Sequence, residues 1–259
     1  FRAARYAARL GFAFDPRTET QLREGARFVA TIGGERLRRE IELIFDEGAT
    51  VAGRALELAA SFGALSAIHP ALEWDEGSSR TLVAPASAHA SATLVGFALL
   101  TAAASGEDCD SIIERLSLTR GENAAVRGMA SMRSAASMLE RPDVKPSGVV
   151  VLLDRLPIAS VAAYAGLYGA SIAGQLALRY LEEWRHERPL LSGKDLIEMG
   201  VPEGPQVERG LQLIRAARLD GWARDRDGER ALAQRFVKSI RDSGSMTSPL
   251  VVDLDDRRN

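Results

Sequence analysis

Apolar residues recur along this chain at helical spacing rather than in strict alternation, and Gly and Pro divide them into short segments. Phe1 to Leu10 predicts a helix stopped at Gly11, a residue suited to the left-handed position after a helix. Asp15-Pro16 supplies an N-cap and a first-turn proline for a second helix to about Phe28. Patterns from about Gly34 to Phe45 and from Val51 to Ser61 complete a first group of four helices. From Gly63 to Ser91, the punctuation by Pro70, Gly77-Ser78-Ser79 and Pro85 predicts a connection with no more than short turns.

Helical spacing returns from Ala92 to Ala104, from Asp110 to Leu116 and from Glu122 to Leu139. The run Val149-Val150-Val151-Leu152-Leu153 has strand composition, but no partner strand is in reach, so a helix is expected. Helices are also expected at Ile158–Leu167, Ile172–Arg185, about Pro205–Leu219 and about Gly228–Arg241, with two tight helix starts after Pro189. The predicted fold class is all-α, a multi-helical and elongated arrangement. Its parts are a neck at 1–60, a helical body at 61–188, a helical tail at 189–242 and a flexible, polar C-terminus at 243–259. No fixed-period repeat is present.

The hydrophobic fraction, 46%, is that of an ordinary globular chain, and 259 residues suffice for a sizeable core. A net charge of -2 provides no global attraction to nucleic acid, so RNA binding has to come from local Arg and Lys clusters. One cysteine, Cys109, excludes a disulfide framework and fits a reducing compartment. No apolar run approaches the roughly 20 residues of a membrane span, and arginines interrupt the first residues where a signal peptide would be apolar. A soluble, cytoplasmic protein with no membrane partner is expected. The helical pattern is already running at Phe1 without a capping residue, so the chain reads as a piece of something longer.

Arg2, Arg5 and Arg9 lie three and four apart and share one helix face. Such a stripe needs anions, either a phosphate or base edge or carboxylates of the same chain. Glu35, Arg36 and Glu40 suit salt bridges and a helix start better than an acid–base pair, and Glu35 suits the positive end of the helix dipole. Ser192 and Asp195 have nearly the spacing of a capping box, and Gly204-Pro205 opens a further helix. Backbone N–H groups at those starts, near Gly193 and Gly204, and the cation of Lys194 could receive an RNA phosphate; capping alone explains the spacing equally well.

His69, His89 and His186 lie in unrelated segments, and no metal site is supported. Asp108-Cys109-Asp110 has no strand pattern around it, and Asp253-Leu254-Asp255-Asp256 falls in the polar tail. No catalytic residue is therefore assigned.

Phe1-Arg2-Ala3-Ala4-Arg5-Tyr6-Ala7-Ala8-Arg9-Leu10-Gly11-Phe12 resembles the neck helix of bacterial class II CCA-adding tRNA nucleotidyltransferases and poly(A) polymerases. The likeness continues at Asp15-Pro16-x-Thr18-Glu19 and at Gly34-Glu35-Arg36-Leu37-Arg38-Arg39-Glu40. It resumes at Leu191-Ser192-Gly193-Lys194-Asp195-Leu196-Ile197 with Gly204-Pro205-Gln206-Val207. The resemblance implies transfer of CMP and AMP from CTP and ATP to a tRNA 3′ end, with Mg²⁺ bound by an N-terminal head domain absent from this chain. It implies that Arg2, foremost, and Arg5 help hold the nucleotide, that Arg9 is structural, and that Glu35, Arg36 and Glu40 support the pocket. Lys194, Gly193 and Gly204 would meet RNA, and the chain alone would be inactive. The alternatives are a fragment of a poly(A) polymerase or of a CC- or A-adding enzyme, or a helical protein-interaction module.

Overall fold

The structure is a computed structural model, described here for residues 1–243; the Asp253–Asp256 run and the C-terminus from 244 lie outside the described residues. All regular elements among them are helical. In chain order these are α1 (Arg2–Leu10), α2 (Pro16–Gly25), α3 (Gly34–Phe45), α4 (Ala49–Ser61), α5 (Glu76–Val83), α6 (Ala92–Leu100) and α7 (Gly106–Leu116). They continue as α8 (Arg120–Leu139), α9 (Pro146–Leu153), α10 (Ile158–Leu167), α11 (Ile172–Glu182), α12 (Gly193–Glu198), α13 (Pro205–Leu219) and α14 (Arg226–Ser243). The described residues divide into two compact units, 1–144 with 149–185, and 145–148 with 186–243.

In the first unit α10 is the central helix, packed against α5, α6, α8 and α11. Its sequence explains the position: Ala159 through Ala165 are all buried, and small side chains let neighbouring backbones come close. Gly128 of α8 faces Pro157 and Ser160, and the Ser160 hydroxyl donates to the Ala125 carbonyl at 2.9 Å, so this buried hydroxyl is satisfied. Phe45, at the end of α3, lies against Gly96 and packs with Phe97 and Trp74 at centroid distances of 5.9 and 6.2 Å. The valine run folds as α9, in keeping with its lack of a partner strand.

The connection expected at 63–91 holds instead a regular helix, α5, followed by a 3₁₀ turn at Pro85–His89. The Gly and Ser that read as breakers are first-turn residues beneath a cap. Asp75 accepts from the Ser78 backbone N–H at 2.7 Å and from its hydroxyl at 2.8 Å, and those bonds hold its carboxyl below the usual range. Small residues are also needed there, because Ser79 lies against Gly53 of α4 and links Trp74 to Glu57 through its hydroxyl. Further ends differ: α2 stops at Gly25 and passes into a 3₁₀ turn at Ala26–Thr31, α6 stops at Leu100, where Arg133 donates to the Ala102 and Ala104 carbonyls, α7 starts at Gly106 under a Ser105 cap, and α11 stops at Glu182.

The second unit has its own apolar core of Leu191, Leu196, Val201, Ile214, Phe236 and Val237. A buried carboxylate ties its start together. Glu229, with none of its side chain exposed, accepts from the Leu190 and Leu191 backbone N–H groups at 2.9 and 2.8 Å and pairs with Arg218 at 2.8 Å. Arg218 also donates to Glu187 at 2.5 Å. Asp220 accepts from the Ser147 N–H at 2.9 Å and its hydroxyl at 2.7 Å.

Candidate nucleotide and nucleic-acid interface

Helix α1 buries Ala4, Ala7 and Ala8 against α4 and ends at Gly11 with φ 71°, a left-handed conformation suited to glycine. With alanine on the inner face, the long side chains occupy the outer one. Arg2 donates from Nε to Glu40 Oε1 at 2.7 Å, while 65% of its side chain stays exposed. Arg5 is only 11% exposed and lies 3.9 Å from Glu47, which Arg9 approaches at 3.4 Å. Tyr6, four residues after Arg2, shares this face: the guanidiniums of Arg5 and Arg9 lie 5.1 and 5.4 Å from its ring centroid, within cation–π range.

Helix α3 supplies the carboxylate that reaches Arg2. Leu37, Ile41, Ile44 and Phe45 anchor its inner face, which turns Glu40 toward α1. Glu35 and Arg36 sit exposed in its first turn, and no ion pair joins either to another described residue. Glu40 and Arg2 are thus brought together, whereas Glu35 and Arg36 are not brought to the stripe. Two members of the cluster, Glu47 and Tyr6, are not among the residues singled out from the sequence. Glu47 follows the helix, so its meeting with Arg5 and Arg9 is tertiary; Tyr6 was legible from its spacing alone, at i+4 from Arg2.

In the second unit Ser192 and Asp195 form a full capping box. The Ser192 hydroxyl accepts from the Asp195 N–H at 3.2 Å, and Asp195 accepts from the Ser192 N–H at 2.7 Å. Hydrogen bonding by Ser192, foremost, with Arg226 2.9 Å away, holds the Asp195 carboxyl at about 2. Lys194 is 86% exposed and 3.8 Å from Glu198. Gly193 packs toward Val207, and Gly204, at φ 107°, adopts a backbone conformation that side chains other than glycine's rarely take before Pro205 opens α13.

The residues present do not fit a Mg²⁺ centre. Asp108 accepts from the Ser105 N–H and hydroxyl, Asp110 pairs with Arg127 at 2.6 Å, and no three potential ligands gather among the described residues. His69 accepts from the Ala71 N–H at 3.2 Å. Cys109 is buried, which pushes its thiol pKa up and makes it a core residue. No helix among the described residues is long and apolar enough to cross a membrane.

The described residues thus form an all-α fold whose first helix presents an arginine face. Comparison with known proteins narrows the class: residues 11–75 match the family described as "Probable RNA and SrmB- binding site of polymerase A". The chain is 27% identical to the A-adding tRNA nucleotidyltransferase of Geobacter sulfurreducens, over 92% of its own length and 29% of that protein's. Its fold is that of the Thermotoga maritima CCA-adding enzyme complexed with tRNA, with a TM-score of 0.74 at 18% identity, covering 92% of this chain and 60% of that one. A CCA-adding enzyme complexed with CTP matches at a TM-score of 0.71 and 18% identity, over 96% of this chain and 60% of that one. The resemblance to the CCA-adding and poly(A) polymerase family thus extends over nearly the whole chain and is consistent with the C-terminal part of that family. The chain spans under two thirds of the length of these relatives.

Proposed function

We propose that this chain is the RNA-holding and pocket-supporting part of a tRNA nucleotidyltransferase that adds CMP and AMP to tRNA 3′ ends. CTP, ATP and Mg²⁺ would be handled chiefly by a head domain outside this sequence. One observation carries the reading: Arg2 keeps most of its side chain accessible while Glu40 fixes its Nε. A cation oriented by one carboxylate and open on its remaining donors is arranged to grip a base edge or phosphate. Arg5 lines the wall behind it, and Glu35 and Arg36 start the helix that presents Glu40. In the second unit, the N–H groups near Gly193 and Gly204 and the Lys194 ammonium would face RNA phosphates.

The reading requires that the chain bind a tRNA acceptor minihelix in preference to a duplex lacking the acceptor end. It also requires that the chain leave tRNA lacking CCA unextended when given CTP, ATP and Mg²⁺. Binding of neither RNA would favour a protein adaptor, and extension by one nucleotide would relocate the chemistry into these residues. The Geobacter relative supports a narrower reading, addition of A alone. With the head domain present, extension of tRNA ending in CC but not of tRNA lacking CC would select it.

A further inference from the structure

A second arginine cluster lies where the 3₁₀ turn meets α3. Half-buried Arg115, in the last turn of α7, donates from Nη2 to the carbonyls of Val29, Ala30 and Ile32 at 3.2, 3.3 and 3.0 Å. These oxygens lie at the end of the 3₁₀ turn, where the Val29 carbonyl also accepts from the Ile32 N–H at 3.1 Å. From the other side, Arg38 of α3 donates through Nη1 to the carbonyl of Ser117, the left-handed residue that closes α7. Between them Gly34, the first residue of α3, lies so close to the Arg115 carbonyl that a methyl group would collide. Two guanidiniums are therefore exchanged across a backbone contact that only glycine permits.

This crossed clamp fixes the height and rotation of α3 on α7. Glu40 is six residues further along the same helix, roughly 9 Å at 1.5 Å per residue, and Glu47 follows shortly after the helix end. A tilt at Gly34 would displace both carboxylates from the arginines of α1. A lysine at 115 would offer a single ammonium in place of a planar fork, and so would set the corner less firmly.

We infer that Arg115 is a positioning residue for the nucleotide pocket, acting through α3 and Glu40 on Arg2. The inference rests on the reading of α1 as a pocket wall. The test uses the catalytically complete protein with Arg115→Ala, the milder Arg115→Lys, and Arg2→Ala beside them. Hydrogen exchange over residues 29–38, nucleotide KM, kcat and tRNA affinity are read together. Arg115→Ala should speed exchange at that corner and raise nucleotide KM about fivefold, the size of a modest lost interaction, with kcat and tRNA affinity within about twofold. Arg115→Lys should fall between Ala and the parent in both exchange and KM, so the inference remains testable if the alanine variant does not fold. Faster exchange with unchanged KM in the Arg115 variants, while Arg2→Ala raises KM, would overturn the positioning role and leave the pocket reading intact. Unchanged KM in Arg2→Ala would remove the pocket reading and this inference with it. Unchanged exchange would show that the clamp holds nothing.

Discussion

Two arginine–glutamate sets in this chain use the same chemistry for opposite ends. In the second unit, Glu229 is wholly buried and satisfied by two backbone N–H groups and Arg218, whose guanidinium also engages Glu187. In the first unit, Glu40 accepts through one oxygen from Arg2, whose side chain stays 65% exposed. A buried pair whose donors are spent can only hold structure. An exposed guanidinium fixed at one nitrogen contributes little to folding and keeps donors for something else. Burial and unspent donors, rather than residue type, separate the brace from the grip.

The sharpest way to break this contrast is to remove one partner from each set. Glu229→Ala leaves Arg218 without its buried partner and two N–H groups unmet, and should destabilise the second unit by about 3–5 kcal/mol in denaturant melts. A loss under about 1 kcal/mol would show that water replaces the carboxylate and that the pair is no brace. Next in size, Ser192→Ala should lower stability by about 1 kcal/mol through the lost cap. Lys194→Ala, in contrast, should keep the parent's melting temperature while weakening tRNA binding and flattening its salt dependence. Parental tRNA affinity of Lys194→Ala at every salt concentration would move the RNA contact elsewhere.

The smallest effect concerns acid. The Asp195 carboxyl is held at about 2, below the unfolded value of roughly 3.9. A depressed carboxyl stabilises above its unfolded pKa and loses that contribution as pH falls through the folded one. Between about pH 4 and pH 2 the parent should therefore lose melting temperature more steeply than Ser192→Ala, in which the main cause of the depression is gone. Parallel acid limbs would place the effect in other carboxylates.

Much of the helical order was legible because apolar spacing and end signals agreed. At α3, α10 and α13 the bounds follow from periodicity with Gly, Ile after Pro, and Gly-Pro at the starts. Helix α5 was hidden because Gly77, Ser78 and Ser79 look like a loop until their neighbours α4 and Trp74 are present to require small residues. At the candidate site, spacing disclosed the shared face of Arg2, Arg5 and Arg9, and left open whether its anions were internal. Glu40 lies 38 residues from Arg2, and Glu47 lies 38 from Arg9, so those meetings depend on how α1 and α3 pack on α4. No local pattern carries that information.

The central claim, that Arg2 grips nucleotide rather than stabilises the fold, is tested most directly by Arg2→Ala in the catalytically complete protein. Loss of a charge-assisted hydrogen bond of about 1.5–3 kcal/mol predicts nucleotide incorporation reduced roughly 10- to 150-fold, with the melting temperature and tRNA affinity near the parent's. Equal losses of incorporation and tRNA affinity, or a fall in melting temperature that accounts for both, would contradict it.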